Sequence, residues 1–67
     1  MLIKKSITIK KHRTSLSLEN EFWEALDIIS KEKQCSIESL ISKIDFGKET
    51  SLASSTRVFI LQYFKNN

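Results

Sequence analysis

The spacing of apolar positions along the chain changes three times. Between residues 2 and 18, β-branched and polar residues alternate in short runs. Ile7 and Ile9 fall on one parity, whereas Thr14, Leu16 and Leu18 fall on the other. Successive side chains of a strand point to opposite faces, so one regular strand cannot bury both sets. A bulge, turn or break around Lys10-Lys11-His12 resolves the conflict. This places the main strand at residues 13–18. Residues 1–12 become a basic N-terminal arm, within which 2–9 are either extended or a second short strand.

The period then becomes helical. Glu19-Asn20-Glu21 opens a helix over 19–33 with acids in the first turn, where the helix dipole favours them. Phe22, Ala25, Leu26 and Ile29 make its stripe, widened by Trp23 and Ile28, and Lys31 and Lys33 sit near its negative end. Gln34-Cys35 reads as a tight turn. Ser36 is a good N-cap for a second helix over 36–45, with Ile37, Leu40, Ile41 and Ile44 as its stripe. Residues 45–50, which include the sole glycine, Gly47, interrupt the pattern. Ser51 caps a third helix over 51–65. Its apolar residues, Leu52, Ala53, Val58, Phe59, Ile60, Leu61, Tyr63 and Phe64, spread around most of the circumference. A helix apolar nearly all round is covered on more than one side. So short a chain has too little protein to cover it, and a partner chain is the natural cover.

Sixty-seven residues make a single domain (1–67) whose own core is marginal. Such scaffolds are usually reinforced by disulfides, a metal or a second subunit. Cys35 is the sole cysteine and His12 the sole histidine, which excludes an internal disulfide and leaves a structural zinc site without ligands. Self-association remains, and neither metal nor cofactor is expected. No apolar run is long enough to span a bilayer, and Met1-Leu2-Ile3-Lys4-Lys5 lacks the order of a signal peptide. The expectation is a soluble, cytoplasmic protein without a membrane partner. Nothing puts a serine beside His12 with a carboxylate behind it, and no glycine-rich phosphate loop exists, so the chain reads as a non-enzyme. Charge is unevenly spread. Residues 1–13 carry Lys4, Lys5, Lys10, Lys11 and Arg13 with no acid, whereas the other six basic and eight acidic side chains leave the remainder at −2. A basic arm on a near-neutral body suits a polyanion.

The order of arm, alternating strand, helix, tight turn and capped helix resembles a ribbon-helix-helix DNA-binding domain. The stretch His12-Arg13-Thr14-Ser15-Leu16-Ser17-Leu18-Glu19, followed by Glu21-Phe22-Trp23-Glu24-Ala25-Leu26, is similar to one branch of that family. In that branch a third helix follows, and Leu52-Ala53-Ser54-Ser55-Thr56-Arg57-Val58-Phe59-Ile60-Leu61 resembles it.

The resemblance implies a mainly α fold with one short strand, built as an intertwined homodimer. Two copies of the strand pair antiparallel into an intermolecular ribbon, with the extra C-terminal helix beneath. Leu16, Leu18, Phe22, Leu26, Ile37, Leu40, Ile41, Ile44 and Phe59 then form the dimer core. Strand parity puts Thr14, Leu16 and Leu18 inward and Arg13, Ser15 and Ser17 outward, and in the family those outward positions read bases in the major groove. Lys4, Lys5, Lys10, Lys11, His12 and Ser36 are expected at phosphates, Ser36 through the start of the second helix. Glu38 departs from that pattern, because a carboxylate there repels a phosphate if it points the same way. The functional expectation is a sequence-specific double-stranded DNA-binding protein and transcriptional regulator, whose partners are DNA and itself as a dimer or higher oligomer. The alternative is a homodimeric protein-interaction module, or a toxin–antitoxin-type antitoxin, without DNA specificity of its own.

Overall fold

In the computed structural model, which describes residues 1–44 and 51–66, β1 spans Leu2–Ile9 and β2 spans His12–Glu19. Three helices follow: α1 (Asn20–Lys33), α2 (Ile37–Ser42) and α3 (Leu52–Lys65). The two strands pair antiparallel within the chain, from Leu2 opposite Glu19 to Ile9 opposite His12.

Two strands rather than one is a correction to the fold class with one short strand, and of the two readings of residues 2–9 it is the second strand that is observed. Its reason is the parity conflict itself. Lys10 and Lys11 form a two-residue connection with both φ values positive, 51° and 71°, as a type I′ hairpin turn requires. Such a turn pairs every odd position of β1 with an even position of β2. Ile3 lies opposite Leu18, Lys5 opposite Leu16, Ile7 opposite Thr14, and Ile9 opposite His12. The two apolar sets of opposite parity thereby come onto one face. Left-handed lysines cost roughly 1–2 kcal/mol each, which the apolar face and an eight-residue ladder offset. β2 therefore has a strand partner within its own chain, β1, on one of its two edges.

The helices cover the apolar face. Ile7, Leu16 and Leu18 join Trp23, Leu26 and Ile29 of α1, Leu40 and Ile41 of α2, Ile44 and Ile60 of α3 in one buried cluster. Six of the nine expected dimer-core residues, Leu16, Leu18, Leu26, Leu40, Ile41 and Ile44, are thus buried inside one chain. Phe22, Ile37 and Phe59 are half-buried against the cluster. α1 stops where Gln34 turns left-handed (φ 56°) and Cys35 donates its N–H to the Ser30 carbonyl at 2.9 Å. Ser36 and Ser51 cap α2 and α3 by accepting the N–H of Ser39 (3.0 Å) and of Ser54 (3.1 Å). α2 is shorter than the 36–45 its spacing predicts: it ends at Ser42, and Lys43 and Ile44 turn through bonds to Leu40 and Ile41. The expected end of that helix at Asp45, and the break around Gly47, lie outside the described residues.

Candidate nucleic-acid interface

The hairpin face turned away from the helices carries Lys4, Ser6 and Thr8 from β1 and Arg13, Ser15 and Ser17 from β2. They stand in cross-strand pairs: Lys4 with Ser17, Ser6 with Ser15, and Thr8 with Arg13. Every one is polar, and all are exposed except Ser17, which is half-buried. Lys10 and Lys11 project at the turn. The outward row ends at Glu19, the one acid of the hairpin. Its carboxylate accepts two hydrogen bonds from Arg57 of α3, from Nε at 3.1 Å and Nη2 at 2.9 Å. The basic face is therefore left with little opposing charge.

The expected site residues do not all fall on this face. Arg13, Ser15, Ser17 and Lys4 share it, and Lys10 and Lys11 border it. Lys5 belongs to the other parity, with its ammonium 4.8 Å over the Trp23 ring. Trp23 itself is a packing residue, buried and donating its indole N–H to the Ile3 carbonyl at 2.9 Å. Lys5, Ser6, Trp23, Lys31, Ser36 and Glu38 line one groove beside β1. Ser36 thus stands at the flank of the hairpin, not on its outward face. His12 lies at the other end, in a shallow recess with Ile9, Lys10, Thr14 and Leu52.

Glu38 has a partner that explains its presence. Its Oε2 accepts the backbone N–H of Thr8 at 2.6 Å. The carboxylate is turned to β1, where it satisfies one outward N–H of the strand, that of Thr8. Because the Thr8 N–H points away from β2, strand alternation makes the backbone groups of Arg13, Ser15 and Ser17 point away from β1. Among the described residues, that edge of β2 has no strand partner.

Two features were missed from sequence. Ser6 and Thr8 join the outward face only once the register is known. The contact between Arg57 and Glu19, reinforced by Arg57 5.7 Å from the Phe22 ring centre, joins residues 38 apart and leaves no periodic signal. Its electrostatics are measurable. A hydrogen bond from the residue's own backbone, then the Arg57 guanidinium, holds the Glu19 carboxyl below the usual carboxylate range. A carboxylate lowered in the native state stabilises above its unfolded value, and the contribution disappears as pH falls through the native value. Acid unfolding of Glu19→Gln is expected to lack this component of the pH dependence. A stability–pH curve parallel to that of the unsubstituted protein through the acid range would contradict it.

Among the described residues, no three His, Cys, Asp or Glu side chains cluster as a metal site, and no helix is long and apolar enough to cross a membrane. A two-stranded ribbon with a polar outer face, backed by a helix, a tight turn and a second helix, defines the ribbon-helix-helix class of fold. The family model for the ribbon-helix-helix domain matches residues 2–64, and the chain belongs to that family. Its members are typically DNA-binding transcription regulators or antitoxins, and are generally not enzymes. No curated protein and no solved structure gives a significant match.

Proposed function

We propose that this protein is a sequence-specific double-stranded DNA-binding regulator of transcription that works as a cytoplasmic homodimer. The observation that carries this reading is the outward face of the hairpin, which from Lys4–Ser17 to Thr8–Arg13 is polar and basic, with the apolar Leu2 and the Arg57-paired Glu19 only at its far end. β2 of one copy pairs antiparallel with β2 of another along the open edge, so an intermolecular ribbon forms at the centre of a four-stranded sheet. Two features support a second copy. The backbone groups of Arg13, Ser15 and Ser17 lie at an edge that invites strand addition, and Val58, Leu61 and Phe64 of α3 stand 49%, 66% and 45% exposed. The central ribbon enters the major groove, which admits two strands. There Arg13 reads guanine through its planar fork, and Ser15 and Ser17 read through adaptable hydroxyls. Lys4 on the outward face and Lys10 and Lys11 at its turn serve the phosphates, which supply affinity without sequence information.

The exposed apolar residues of α3 also favour a second reading, a protein-interaction module or antitoxin that uses that helix to hold another protein. A salt titration separates the two. For the DNA reading, affinity for duplex DNA falls linearly in log–log form with a slope of about −0.9 per phosphate neutralised. Two chains are expected per bound duplex, with a preferred sequence emerging from selection on random DNA. Negligible binding at low salt would leave the interaction module standing.

A further inference from the structure

We propose that β1 is a groove-wall strand, in which the hydroxyls of Ser6 and Thr8 grip DNA phosphates on either side of the base-reading ribbon. This rests on the DNA-binding homodimer proposed above and assigns two residues that it leaves without a role.

The first step is which edge the second copy takes. The outer edge of β1 is blocked at Thr8, whose outward N–H is taken by Glu38 of α2 at 2.6 Å. The outer edge of β2 has no such cover among the described residues. Strand addition at β2 gives the order β1, β2, β2, β1 across two copies. The second step is width. Neighbouring strands lie about 4.8 Å apart, so the axes of the two outer strands are about 14 Å apart. The major groove is about 12 Å wide. Two central strands fit its floor, and the two β1 strands arrive at its phosphate walls. The third step is chemistry. The β1 residues of the outward parity are Leu2, at the far end opposite Glu19, and then Lys4, Ser6 and Thr8, one cation and two hydroxyl donors with no carboxylate among them. Hydroxyls and lysines are groups that bind phosphate oxygens without reading sequence. Lys4 lies opposite Ser17 and Thr8 opposite Arg13, so the phosphate row runs the full length of the reading row.

The expected signature differs from that of the lysines and of Arg13. A neutral hydroxyl releases no counterion, so its loss weakens binding without changing the salt slope. Ser6→Ala and Thr8→Val are expected to lower affinity for the preferred site and for random duplex by the same factor, roughly 2–10-fold each. The salt slope stays unchanged, as does the circular dichroism of both exposed variants. Lys4→Gln is expected to reduce the slope by about one unit as well. Fluorescence anisotropy of the full chain on both duplexes across a salt series measures all of this, with Arg13→Ala alongside. Unchanged affinity in both hydroxyl variants overturns the wall strand, and so does a loss confined to the preferred site. In either case an Arg13→Ala loss on the preferred site keeps the DNA reading intact. Failure of the unsubstituted protein to bind any duplex removes that reading and the wall strand with it.

Discussion

Leu16→Ser is expected to leave the chain largely unfolded, whereas Ser15→Ala is expected to fold as the unsubstituted protein does. The two residues are neighbours in β2 and point to opposite faces. Leu16 is 2% exposed in the cluster formed with Leu18, Leu26 and Ile41, whereas Ser15 is exposed opposite Ser6. Truncating a buried leucine costs about 2–5 kcal/mol, according to how far the site collapses. A serine hydroxyl left there without a partner adds about 1–3 kcal/mol. A 67-residue domain has total stability of roughly 3–10 kcal/mol, so the sum consumes most or all of it. Urea titrations followed by circular dichroism check both variants. Equal midpoints for the two would show that the register of the hairpin is wrong.

The second large effect concerns the division between reading and holding. Arg13→Ala is expected to cost about 1–3 kcal/mol on the preferred DNA site, with a smaller loss on random duplex. Lys10→Gln is expected to weaken both alike and to reduce the salt slope by about one unit. Arg13 is exposed on the outward face and has the planar fork that matches two acceptors of guanine. Lys10 sits exposed on the turn and carries a point charge without a planar fork. Equal losses on both DNAs for Arg13→Ala would reduce that residue to a phosphate contact.

Much of this molecule is legible in its sequence because it depends on local periodicity. The stripes of α1 and α2, the caps Ser36 and Ser51, and the inward parity of Leu16 and Leu18 all follow from spacing within a few residues. So does the outward placement of Arg13, Ser15 and Ser17. The basic charge of residues 1–13 is legible too, as is the need for a break near Lys10-Lys11.

What spacing leaves open is how that break is made. A bulge, an extended arm and a hairpin all resolve two parities, and only the observed turn, with both lysines left-handed, puts Ile3, Ile7 and Ile9 on the face of Leu16 and Leu18. The consequences are tertiary. Ser6 and Thr8 become outward neighbours of Ser15 and Arg13. Lys5 is carried to the helix side over Trp23, and the Glu38 carboxylate is turned to the Thr8 N–H at the outer edge of β1. Arg57 reaches Glu19 across 38 residues. Sequence by itself determined which residues prefer a helix or strand and which side of each is apolar, because those preferences arise within one or two turns of chain. The tertiary structure decided which strand edges are closed and which face gathers the polar side chains, because both depend on contacts between segments that no local period links.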